Sequence, residues 1–183
     1  MTTVALDACV LAPARLGDLL LRVAEEPRLY SPRWSSEILD EVRRTQVDTL
    51  GYPDHLADYW REQVTAAFPE ALVPGYERRL AACQVEAGDR HLVASAVEAG
   101  AESIVTFNLR HFPPEALEPH GVTACHPADY LIGLCEAGPE QVIRRLADIA
   151  ALRQMDAAEA LQRLARSVPT FVAHVAERRG WPG

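Results

Sequence analysis

Apolar and polar positions along the 183-residue chain follow two successive patterns. In the first, short apolar runs alternate with helical stripes. Residues 2–6 read as a buried strand, with Val4, Ala5 and Leu6 in succession and Asp7 at its C-terminal tip. Leu16, Leu19, Leu20 and Val23 recur at helical spacing over 14–26. Leu29-Tyr30-Ser31-Pro32 predicts a short strand or turn. It leads into a helix capped by Ser35, whose buried stripe is Ile38, Leu39 and Val42. Residues 54–68 read as an amphipathic helix, Leu72-Val73-Pro74 as a short strand, and 75–86 as helical or partly irregular. Asp89 opens a helix through Leu92, Val93, Ala96 and Val97, which Gly100 ends. Residues 103–107 form the next strand, and Gly121-Val122-Thr123-Ala124 an edge strand. This alternation predicts an α/β fold with a parallel sheet of four or five strands between helix layers.

From Pro127 onward only helical spacing remains. Pro127, Pro139 and Pro169 each suit a first helical turn, and Asp156 followed by Glu159 resembles a capping box. Three or four helices are expected over 127–180. Residues 1–130 therefore read as the α/β domain and 131–183 as a C-terminal helical extension. Leu131, Leu134, Ile143, Leu146, Ile149, Leu152, Leu161 and Leu164 give the extension an apolar face. That face either covers the sheet or forms a homodimer seam or a groove for a partner helix.

Composition narrows the chemistry. No apolar run is long enough to span a membrane, and no secretory leader is expected. The four cysteines, Cys9, Cys83, Cys125 and Cys135, are widely spaced. They suggest neither a disulfide framework nor a zinc site, which fits a reducing cytoplasm. All 18 basic residues are arginine. The absence of lysine excludes the P-loop and every mechanism that needs a catalytic lysine. A formal charge of −8 argues against a broad nucleic-acid surface, so any RNA contact must be a local arginine patch.

Oxygen donors collect at predicted strand and helix tips. Asp7 ends the first strand, where open α/β sheets place their ligands. Asp89 opens a helix, although an ordinary N-cap would look the same. Thr106-Phe107-Asn108 ends the second long strand, and Asn108 could equally be a plain turn residue. On the helix that Ser35 caps, Glu41 lies at the edge of the buried stripe at about 100° per residue, while Glu37 and Asp40 point further toward solvent. Glu41 is therefore preferred and Glu37 is second. Such a set of hard oxygens suits Mg²⁺ or Mn²⁺.

Several segments resemble the motifs of PIN domains. Leu6-Asp7-Ala8-Cys9-Val10-Leu11 is similar to the first motif and Trp34 to Arg44 to the second. Gly88 to Ala96 and Ile104 to Pro113 resemble the third and fourth. The resemblance covers residues 3–130 and points to VapC-type toxins of bacterial toxin–antitoxin pairs. It implies a PIN-like parallel sheet sandwiched by helices, a Mg²⁺-dependent ribonuclease, an RNA substrate, a cognate antitoxin and a homodimer. It also implies Asp7, Glu41 and Asp89 as metal-binding acids, with Asn108 where many relatives carry a fourth acid and Thr106 as a small hydroxyl residue before it. Cys9 stands where relatives often have Asn, Ser or Thr, which implies a weaker polar contact there. His111 stands where close relatives often have Asp, so the cleft carries less negative charge. Cys9, Thr106 and His111 are expected to support the acids. Arg90, Arg110 and His91 are candidates for flanking phosphates, and Arg144-Arg145 and Arg178-Arg179 for RNA or antitoxin contacts.

The alternatives are a haloacid-dehalogenase-like phosphatase and a degenerate PIN scaffold that only binds a partner. The first needs an acid at position 9, where Cys9 stands, and a lysine, which the chain lacks. The second rests on Asn108 and His111.

Overall fold

The computed structural model describes residues 1–178. Its centre is a four-stranded, wholly parallel sheet in the order β2-β1-β3-β4. The strands are β1 (Thr3–Leu6), β2 (Ser31–Arg33), β3 (Ser103–Val105) and β4 (Thr123–Cys125). Val4, Ala5 and Leu6 are fully buried, as strands covered on both faces must be. The chain leaves β1 for β2 on one side and returns to β3 on the other. The gap between the C-terminal ends of β1 and β3 is thus a topological switch point, where such sheets open a crevice. Leu6 pairs with Val105 across that gap, so the next residues, Asp7 and Thr106, emerge side by side.

Helices flank the sheet. After β1 come the short α1 (Ala8–Leu11) and α2 (Ala14–Val23). Between β2 and β3 lie α3 (Ser36–Arg44), α4 (Asp54–Ala67) and α5 (Arg90–Glu98). The Ser35 hydroxyl accepts from the Ile38 N–H at 3.2 Å and starts α3. Beyond Arg44 this helix does not stop. It widens into a π-turn over Thr45–Thr49, closed by the Leu50 N–H donating to the Thr45 carbonyl at 3.0 Å. Arg43 pairs with Asp54 and Asp58, and Arg61 with Asp40, which ties α3 to α4. The expected strand at Leu72-Val73-Pro74 is only a single bridge between Trp34 and Leu72. Pro74 has no N–H to extend a ladder there.

After α6 (Pro114–Leu117), four helices follow among the described residues: α7 (Pro127–Ala137), α8 (Pro139–Leu152), α9 (Ala157–Leu164) and α10 (Pro169–Glu177). Pro127, Pro139 and Pro169 each occupy a first turn, and Asp156 caps α9 by accepting from the Glu159 N–H at 2.7 Å. Their apolar face is not left open. Leu131, Leu134, Leu146, Ile149, Leu161 and Leu164 are buried in the same core as the sheet, and only Leu152 among that set stands out, at 68% exposure. The Tyr30 hydroxyl, also buried, donates to the Leu20 carbonyl at 2.8 Å, and its ring meets Tyr130 of α7 edge-on.

Gly17 of α2 holds α1 tightly against it. A Cβ at this position would overlap the Leu11 carbonyl oxygen and lie 3.1 Å from its carbon, and backbone cannot swing aside as a side chain can. Gly17→Ala gains helix propensity but forces these helices apart, so a net loss of about 1–3 kcal/mol is expected. Urea denaturation measures it, and an equal or higher midpoint would show that the corner yields freely.

Candidate functional site

Asp7 is 8% exposed and accepts three hydrogen bonds. Its Oδ1 takes the Cys9 N–H at 3.4 Å, which makes Asp7 the N-cap of α1 as well as the tip of β1. Its Oδ2 takes the Thr106 hydroxyl at 2.5 Å and the Cys9 thiol at 3.1 Å. Thr106 in turn accepts from the Asn108 N–H at 3.0 Å. That bond leaves the hydroxyl proton of Thr106 for Asp7. Cys9 makes several polar contacts here. The thiol donates to Asp7, lies 3.5 Å from the Thr106 hydroxyl, and accepts from the Phe107 N–H at 3.4 Å. Burial and then the charge of Asp7 push this thiol up to about 12, so it holds its proton and acts as a donor.

Around Asp7 opens a cleft of about 390 Å³ lined by Glu41, Asp89, Asn108, Cys9 and His111 among others. The structure therefore brings Asp7, Glu41, Asp89 and Asn108 to one place. Glu37 does not line it. Its carboxylate accepts from the Ser36 hydroxyl on the exposed side of α3. Asp89 occupies the N-cap position of α5 but makes no capping hydrogen bond, so its carboxylate is not spent on the helix.

Two histidines face these acids. His111 Nδ1 lies 3.2 Å from Asp89 Oδ2, and His91 Nε2 lies 3.2 Å from Glu41 Oε1. His91 Nδ1 also meets the Ser35 hydroxyl at 3.4 Å. Burial raises the Asp89 carboxyl; His111 opposes the shift, and the charge of Asp7 adds to it. For His91, burial favours the neutral ring but Glu41, Glu37 and Asp7 outweigh it, and the net shift is upward. A carboxylate raised by burial and by a like charge is the mark of acids gathered at low dielectric.

Sequence reasoning missed Arg44, Thr45, Asp48 and Thr49, which line the same cleft. The helix was expected to end at Arg44, whereas the π-turn carries it on. The signal was present: Arg44, Thr45 and Asp48 follow Glu41 at three, four and seven residues, one face of a continued helix. π-turns within helices are frequent at functional sites. Other candidates lie elsewhere. Arg90 donates to the Val85 carbonyl at 3.2 Å. Arg145 bonds the Glu26 carbonyl at 2.8 Å, and Arg178 the Cys135 carbonyl at 3.3 Å. Arg144 lines a separate groove beside Pro27, and Arg179 lies outside the described residues. His126 caps α7 instead of binding metal.

The donor set is hard oxygen, with two imidazoles beside it. Among the described residues no three His, Cys, Asp or Glu side chains close into a metal cage. Mg²⁺ does not require one, since it is usually held by one or two carboxylates and keeps several waters. The residues therefore fit such an ion.

No family profile matches the chain, and no solved structure matches it. A Mycobacterium tuberculosis protein named "Putative ribonuclease VapC50" is 36% identical to it over 137 residues, covering 72% of this chain and 78% of that protein.

The His91–Glu41 pair gives a pH-dependent stability with a definite sign. A histidine raised on folding stabilises fully below its unfolded value of about 6.5, and the contribution is lost as pH rises through the higher folded value. In metal-free buffer, wild type should therefore exceed His91→Gln in denaturation midpoint by more at pH 5.5 than at pH 8.5. An equal gap at both pH values would rule the pair out as a source of stability.

Proposed function

Since this chain belongs to the VapC-type family of PIN-domain ribonucleases, we propose that it is a Mg²⁺- or Mn²⁺-dependent endoribonuclease that acts as the toxin of a toxin–antitoxin pair. The observation that supports this most is the gathering of Asp7, Glu41 and Asp89 on one cleft at the switch point of the sheet. In this reading they hold the cation, and Asn108 stands at its margin. The bound ion supplies a Lewis acid for the phosphodiester and lowers the pKa of a water. Asp7 is oriented by three donors, so its remaining acceptor capacity is directed rather than free to rotate. Glu41 and Asp89 each face an imidazole, His91 and His111, at 3.2 Å. Asp48, at the exposed end of the π-turn, adds a further carboxylate to the cleft, which bears on the charge missing at Asn108.

The partners follow from the family reading: an RNA substrate, a cognate antitoxin and a second copy of the chain, all in the cytoplasm. Among the described residues no helix is long and apolar enough to cross a membrane. A degenerate scaffold that binds a partner without cleaving RNA is the competing reading, and it draws on Asn108 and on the absence of a closed cage among the described residues.

Cleavage of a mixed RNA substrate separates the two. Asp7→Asn and Glu41→Gln should each lower the Mg²⁺-dependent rate on the order of 100-fold, while Glu37→Gln stays near wild type. Chelation by EDTA should abolish the reaction and added Mn²⁺ restore it. Equal rates for wild type and Asp7→Asn would overturn the assignment of Asp7. Asn108→Asp adds a charged oxygen at nearly constant shape, and calorimetric titration should show tighter Mn²⁺ binding. An unchanged affinity would place Asn108 away from the ion. Co-expression with the gene immediately upstream should relieve growth arrest, and a chain tolerated at high expression without any partner would count against the toxin role.

A further inference from the structure

The arginines of this chain are unevenly committed. Arg22, Arg43, Arg61, Arg78, Arg79 and Arg163 are all held by carboxylates. Among the described residues, Arg44 and Arg110 have neither a carboxylate partner nor a hydrogen bond, and both are exposed. Arg44 lines the acid cleft. Arg110 lines a second groove of about 500 Å³ with Gln84, Val85, Glu86 and Pro113. His111 lines both, so the groove continues the cleft beyond the His111–Asp89 pair.

In a chain of net charge −8, a polyanion is repelled at long range and must be gripped locally. Uncommitted guanidinium groups beside an acidic centre are the groups able to do so, because their planar forks match phosphate oxygens. We propose that Arg44 and Arg110 are positioning residues for the RNA phosphates flanking the bond to be cut, Arg44 in the cleft and Arg110 in the groove that continues it. This rests on the nuclease reading above.

The test is steady-state cleavage of a fluorogenic single-stranded RNA of mixed sequence by the full chain with Mg²⁺, across a series of NaCl concentrations. Arg44→Gln and Arg110→Gln should each raise KM about fivefold and leave kcat within about twofold. Each should also reduce the slope of log KM against log salt by about 0.7, the loss of one phosphate contact on a single strand. A merely structural role would not move that slope. Arg44→Lys and Arg110→Lys keep the charge and should restore most of it. Arg166→Gln, on an exposed turn after α9, should match wild type. Unchanged KM and slope in both glutamine variants overturn the proposal, as does a fall in kcat with KM intact. If wild type cleaves no RNA, the nuclease reading fails. Fluorescence anisotropy with the same oligonucleotide then still judges the two contacts, and equal affinity of wild type and the double glutamine variant overturns them.

Discussion

The arrangement of the site depends on one buried carboxylate. Asp7 sits at the tip of the central strand, where an unpaired charge would cost several kcal/mol. Its cost is met from three sides by donors that belong to different parts of the fold: the Cys9 backbone and thiol from the start of α1, and the Thr106 hydroxyl from the end of β3. Each bond also fixes something else. The Cys9 N–H starts a helix, and the Thr106 hydroxyl locks Asn108 behind it. Gly17 lets α2 close on α1. The sheet register then does the remaining work, because Leu6 opposite Val105 leaves no freedom in how Asp7 meets Thr106.

Around this fixed point the cleft manages a surplus of negative charge. Asp89 is raised by its burial and by Asp7, and Glu41 is balanced by a histidine that is itself raised. The two imidazoles come from α5 and from the turn after β3, elements already required to build the walls. The same crowding that raises the Asp89 carboxyl makes the acids costly to assemble. Ion pairs on the outside have a different role. Those joining α3 to α4 are exposed and contribute little stability individually, but they commit Arg43 and Arg61 away from the cleft.

Much of this was readable from the chain, and the failures have physical causes. Asp7, Glu41, Asp89 and Asn108 were found because each stands at a strand end, a helix start or the margin of an apolar stripe, positions that periodicity defines. The preference for Glu41 over Glu37 followed from the angle each makes with Ile38 and Val42. What periodicity could not supply was anything held by contact between distant segments. The pairing of His111 with Asp89 spans 22 residues and depends on how two loops meet. The donor role of Cys9 depends on burial, which turns a thiol into a firmly protonated group. Asp48 was lost to an assumed helix end at Arg44, although its spacing from Glu41 carried the signal. The apolar face after Pro127 carried two meanings in sequence, and only the packing shows that it is interior.

The central position of β1 has a consequence for how the protein comes into being. Asp7 precedes Thr106, the partner that secures it, by 99 residues. Arg153, which binds Asp18 beside the first turns of α2, comes 135 residues after its partner. A nascent chain therefore carries β1 without the neighbour that completes the cleft on its β3 side until β3 has been made. Pairings over such sequence distances close late because the intervening loop must be ordered first. The acid cleft is a property of the finished polypeptide, and a prematurely terminated product that stops before β3 contains Asp7, Glu41 and Asp89 at most as separate side chains on an unclosed sheet.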